Sequence, residues 1–345
     1  MMKGIFTKIC PLILAISIAT AFAGCAAKPQ NLMADIEPAK VTEAEDVAAG
    51  NIAATDFAVR LFAASYEQGK NALISPLSVF SALAMTANGA REETLAQMEE
   101  VLGMSLEEMN VYLHTYMSRL AEGENYKLSL ANSIWALDSD HFIPKKDFLQ
   151  TTADYYDAEI YQCKFDDGTL KAVNRWVEEK TDGMIPEILK QIPDGAVMFL
   201  VNALAFDAKW AKPYQKSQVR DGIFTLEDGI KRNVEMMYSR ESWYLEDDYA
   251  MGLIKYYDDK AYAFVALLPK EGVSVAQYID TLNGEHLNEL LTAPLPTQVQ
   301  AAIPKFESEY SLTMNDILIE MGMQDAFDAV KADFSGRYCR GSSCD

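Results

Sequence analysis

The residues able to do covalent or metal chemistry are few and scattered. The chain has five cysteines, Cys10, Cys25, Cys163, Cys339 and Cys344, and three histidines, His114, His141 and His286. Structural zinc asks for Cys and His in close pairs, and no such spacing occurs here. There is no G-x-S-x-G elbow, no Walker loop, no H-E-x-x-H and no dinucleotide glycine pattern. With 51 acidic residues, carboxylate pairs arise by chance, so a paired-carboxylate glycosidase has no specific support. Asp247-Asp248 and Asp258-Asp259 read as turn acids, and the histidines read as surface or packing residues. An enzyme is not expected, and nothing asks for a metal or a cofactor.

One cysteine acquires a chemistry from its position. Residues 1–24 have the form of an export signal, with Lys3 and Lys8 at the start and a mainly apolar run over 9–22. That run is too short for a permanent membrane span. Phe22-Ala23-Gly24-Cys25 resembles a bacterial lipobox, in which the cysteine becomes the lipidated first residue, although Phe22 stands where Leu is usual. A multi-chain lipid on Cys25 would tether the protein to the outer face of the cell membrane, each buried CH₂ contributing about 0.8 kcal/mol. Plain secretion with a chance cysteine is the other reading. Cys339 and Cys344 could close a small loop in an oxidising compartment, and Cys163 stands alone.

The net charge is −21, and losing Lys3 and Lys8 with the signal makes it −23. Such a surface repels phosphate backbones, so no nucleic-acid partner is expected. The composition, 50% hydrophobic and 23% charged, is that of a folding chain. A body of this length buries roughly 75% of its unfolded surface and forms a core without metal or disulfide.

The elements follow from spacing. Residues 25–50, rich in Ala, Glu, Asp and Pro, read as a linker holding the domain off the membrane. Residues 51–67 read as a first helix, with Phe57 and Leu61 on one face. Ser75-Pro76 is a helix cap followed by a first-turn proline. Thr94 with Gln97, and Ser105 with Glu108, fit capping boxes. Residues 127–137 alternate as a strand, and a helix from Thr169 carries Val173, Trp176 and Val177. Residues 197–206 are nearly all apolar, which suits a central strand covered on both faces, and Asn202 breaks that run. Strands are predicted at 222–226, 234–238, 251–256, 262–268 and 298–306, and helices at 275–282, 285–291 and 314–321. Helices come first and strands cluster later, which is an α+β pattern in one domain.

Separated motifs carry a resemblance. They are Asn71-x-x-Ile74-Ser75-Pro76-Leu77-Ser78, then Ala82-Leu83-x-Met85, Gly89-Ala90, Asn174-Arg175-Trp176-Val177 and Val201-Asn202-Ala203-Leu204-Ala205-Phe206 leading to Trp210. Ala266-Leu267-Leu268-Pro269, Ile303-Pro304-Lys305-Phe306 and Met321-Gly322-Met323-x-x-Ala326-Phe327 with Ala332-Asp333-Phe334-Ser335-Gly336 complete the set. In this order over 51–336 they resemble the serpin family. The resemblance implies N-terminal helices packed on large mixed and antiparallel sheets. It implies a suicide inhibitor of serine, or cysteine, proteases that inserts a cleaved surface loop into its main sheet as a new strand. It implies that Ser75, Ser78 and Asn202 occupy the shutter under that sheet, with the serine hydroxyls as partners for the buried amide, and that Trp210 is the breach tryptophan where the loop enters. A helix cap at Ser75 and a core aromatic at Trp210 are compatible with this.

In the family, the stretch after Asp-Phe-Ser-Gly supplies the next strand of the main sheet, the small-residue hinge and the reactive loop. Residues 337–345, Arg-Tyr-Cys-Arg-Gly-Ser-Ser-Cys-Asp, read instead as an atypical tail. The expectation is a reactive loop that is absent and a truncated or frame-shifted product, inactive alone and prone to aggregation through open strand edges. A short form completed by a partner strand is one alternative, and a non-inhibitory cell-surface binding module is another.

Overall fold

The structure, a computed structural model, describes residues 28–339 apart from 121–122, 140–142, 193–195, 197, 309 and 311. Cys25, Cys344 and His141 lie outside the described residues. The helices are α1 (Ala48–Ser65), α2 (Pro76–Ala87), α3 (Glu92–Leu102), α4 (Leu106–Ser118), α5 (Lys146–Tyr156), α6 (Asp167–Lys180), α7 (Val275–Thr281), α8 (Gly284–Thr292) and α9 (Asn315–Met321). The first strands are β1 (Gln30–Asn31), β2 (Tyr126–Leu137), β3 (Ile143–Pro144), β4 (Glu159–Cys163), β5 (Met198–Ala208) and β6 (Val219–Thr225). They are followed by β7 (Lys231–Glu241), β8 (Trp243–Glu246), β9 (Ala250–Tyr256), β10 (Ala263–Pro269), β11 (Val299–Pro304) and β12 (Tyr338–Cys339).

The main sheet has the order β1-β4-β2-β5, with β2 and β4 parallel and the other pairs antiparallel. Its strands alternate between two cores. On one face Ile134 and Ile160 join Phe57, Leu61, Phe80, Met85, Leu102 and Leu113 of the helical layer. On the other face Trp135, Val201 and Ala203 pack on Val173, Trp176 and Val177 of α6. Burial on both faces is why the β5 sequence is apolar at successive positions. Two antiparallel sheets, β8-β9-β10 and β6-β7-β11, form the other end.

Local rules explain most starts. Ser75 caps α2, accepting from Ser78 N at 3.4 Å ahead of Pro76. Ser105 and Glu108 close a reciprocal capping box at α4. The box predicted at Thr94 does not form. α3 starts at Glu92, and Thr94 is buried inside it, accepting from Asp333 N at 3.0 Å.

Two boundaries also differ from expectation. The segment read as a linker lies on the body, because its polar groups find partners there. β1 pairs with β4, Asp154 accepts from Ala39 N at 2.7 Å, and Thr115 accepts from Ala44 N at 2.9 Å. The tail likewise begins inside the fold. Arg337 is 5% exposed, and Tyr338 and Cys339 pair with β3. The Arg337 Nη2 donates to Thr86 O at 2.8 Å, its guanidinium lies 4.4 Å from the Phe334 ring, and its Nε is buried with no partner among the described residues.

Candidate functional site

β5 is bonded to β2 over eleven residue pairs, Met198↔Ala136 through Ala208↔Tyr126. Among the described residues no strand pairs with its other edge. A strand covered on both faces yet open along one edge is a site for another extended segment.

Beneath that edge sits a polar chain. Asn202 Nδ2 donates to Asn132 Oδ1 at 2.7 Å, across the register pair Asn132↔Asn202. Asn132, 1% exposed, donates to the Tyr156 carbonyl at 3.4 Å. The Tyr156 hydroxyl donates to Asn110 Oδ1 at 2.5 Å, and Asn88 and Asn110 exchange amide bonds at 2.9 Å. Burial pushes the Tyr156 phenol well above the ordinary tyrosine range. The chain of bonds ties α2, α4 and α5 to the sheet at the open strand. Its last acceptor, Asn202 Oδ1, is buried without a partner among the described residues.

The serines are placed differently from expectation. Ser75 Oγ donates to Ser78 Oγ at 2.9 Å, so the two hydroxyls satisfy each other at the start of α2. The amide partner of Asn202 is Asn132, not a serine. Sequence reasoning missed Asn132, Tyr156, Asn110 and Asn88. The Asn132 signal was available, because it occupies an inward position of an alternating strand.

Trp210 follows the end of β5 and joins it to the second sheet through a bridge to Tyr257. Its ring stacks on Tyr257 at 4.4 Å and meets Phe264 edge-on at 5.9 Å. Lys255 Nζ lies 5.3 Å from the Trp210 ring centre and 4.6 Å from that of Tyr214. Lys255, 2% exposed, forms a buried ion pair with Glu241 at 2.8 Å. Two aromatic faces and one carboxylate thus hold a buried ammonium at this end of the strand.

His114, His286 and Cys163 have structural surroundings. His286 Nε2 is 3.1 Å from Asp247 Oδ2, and His114 meets Tyr155 edge-on. Burial raises the pKa of the Cys163 thiol, which lies 3.7 Å from Ala136 O. Among the described residues no three Cys, His, Asp or Glu side chains converge as a metal site.

The fold, a mixed sheet over a helical layer, is shared with known proteins. The sequence model of the family described as Serpin (serine protease inhibitor) matches residues 52–342. The chain belongs to the serpin family. The human leukocyte elastase inhibitor is 31% identical over 301 residues, which are 82% of this chain and 79% of that protein. The native state of tengpin, a thermophilic serpin, superposes with a TM-score of 0.87 at 45% identity, covering 91% of this chain and 81% of that one. The latent state of tengpin gives a TM-score of 0.82 at 46% identity, covering 88% and 83%.

Proposed function

We propose that this chain is the strand-accepting body of a serpin-type protease inhibitor, with β5 as the receiving edge. The carrying observation is that, among the described residues, β5 is fully bonded on one side and open on the other, above a polar chain that ends in an unpartnered acceptor. An inserted strand would complete the ladder and bring a donor within reach of Asn202. Trp210 and the Lys255–Glu241 pair would fix the end at which it enters.

The target is a serine, or cysteine, protease, in keeping with the human relative being an elastase inhibitor. None of the described residues forms an exposed loop of small residues between two strands of the main sheet, so the inserting strand comes from outside them. On this reading the body formed by the described residues takes up a strand that is supplied to it. Mixing it with trypsin-, chymotrypsin- and elastase-like enzymes is expected to give no SDS-stable complex. A covalent complex would overturn the assignment of the body alone.

We also propose that the mature chain is anchored by a lipid on Cys25 and displayed outside the bacterial membrane. The support is the apolar run over 9–22 ending in Phe22-Ala23-Gly24-Cys25. No helix among the described residues is long and apolar enough to cross a membrane. Cys25→Ser is expected to release the protein from the membrane fraction into the medium. Retention of the variant on membranes would refute the anchor.

A further inference from the structure

A cleft of about 690 Å³ opens between the chain just past Trp210 and the sheet of β6, β7 and β11. Its charge is opposite to that of the molecule. Lys212, Arg220 and Arg240 line it, all three are exposed, and none has a carboxylate partner among the described residues. The acid in the wall, Glu241, is matched by Lys255 at 2.8 Å. Three unmatched cations around one concavity, in a chain of net charge −21, make a local anion trap.

The walls add shape and further donors. The Arg220 guanidinium lies 4.0 Å from the centre of the Tyr238 ring, stacked on it. Arg220 is exposed and gives one N–H to Ser217 O at 3.4 Å, so the outer face of the guanidinium is open to a second ring and its other N–H groups to an acceptor. The hydroxyls of Tyr214 and Ser239, side by side in the wall, are buried without a well-formed hydrogen bond. An acceptor entering the cleft would satisfy them. The volume suits a small molecule, since ligand pockets span roughly 300–1,000 Å³.

We propose that this cleft binds an organic carboxylate carrying a planar ring, with the carboxylate among Lys212, Arg220 and Arg240 and the ring stacked on the Arg220–Tyr238 pair. The site does not depend on strand uptake at β5.

Equilibrium dialysis of the full chain against 1-naphthoate and its neutral isostere 1-naphthamide tests it. The naphthoate is expected to bind saturably in the millimolar range or tighter, and the naphthamide about tenfold more weakly. Arg220→Gln and Arg240→Gln are each expected to weaken naphthoate binding about tenfold. Both change exposed side chains, and a thermal melt of each variant checks that it is folded. Lys231→Gln, an exposed cation outside the cleft, is expected to leave binding unchanged. Equal binding of the neutral amide, unaltered affinity in both arginine variants, or no saturable naphthoate binding would each overturn the proposal.

Discussion

Asn202 and Asn132 face each other across β5 and β2, joined by a hydrogen bond of 2.7 Å between their amides, and the remaining Asn202 oxygen is buried without a partner among the described residues. The pair therefore marks the point where the open strand is tied to the helical layer and where an acceptor is left over. Asn202→Ala strands the Asn132 oxygen in a site that is 1% exposed. The expected loss is about 1–3 kcal/mol of stability in a urea titration. Changing both asparagines to valine is expected to cost less than the sum of the single changes, since it leaves no orphan between them. Additive losses would show that the two amides are not coupled.

The ion pair beside Trp210 should behave as a buried pair. Lys255→Met leaves the Glu241 carboxylate uncompensated, and is expected to cost about 3–5 kcal/mol. Adding Glu241→Leu is expected to restore much of that, because a buried apolar pair needs no counter-charge. A Lys255→Met protein that melts like the parent would mean that the pair is solvated in solution.

Arg337 is the reverse case, a buried cation with no carboxylate partner among the described residues. Burial pushes its pKa down to about 10. Its apolar surroundings include Ile134, Ala136, Phe148 and Ile160. Arg337→Met removes the orphaned Nε at the expense of the bond to Thr86 O. The expected outcome is a gain of about 1 kcal/mol and a higher melting temperature. A lower melting temperature would show that the guanidinium organises the packing of Phe334 rather than straining it.

Acid sensitivity should be traceable to Asp247. Burial works to raise its pKa, but the N–H groups of Tyr249 and Ala250, the Tyr278 hydroxyl and His286 together outweigh burial and hold it below the ordinary aspartate value. A depressed carboxyl stabilises the fold above its unfolded pKa, and that contribution is lost as pH falls through the folded value. The stability gap between the parent and Asp247→Asn is therefore expected to be constant near neutrality and to close below about pH 4. Melts recorded at stepped pH check this, and a gap that widens on acidification would contradict it.

Much of the scaffold was legible because local rules and burial agreed. The apolar run around Asn202 gave β5, and the Ser105 and Glu108 pair gave the start of α4. Thr94 misled because its box pattern competes with a buried position, where its hydroxyl accepts from Asp333, a residue far away in sequence. The network of Asn88, Asn110, Asn132 and Tyr156 was hidden for the same reason. Its members come from four elements, and no spacing within one element announces them. Residues 30–47 carry a linker's composition, yet they find backbone partners on β4 and side-chain partners on α4 and α5. Arg337 reads as a surface residue from its type and becomes buried only through the approach of α2 and β5.

The central claim is that the free edge of β5 accepts a strand. Amide hydrogen exchange along Met198–Ala208, with and without an extended peptide rich in alanine and threonine, addresses it directly. Alternate β5 amides, those not bonded to β2, are expected to exchange fast in the chain alone and to slow markedly when the peptide is present. Protection of all β5 amides without the peptide, or no change on its addition, would contradict the account.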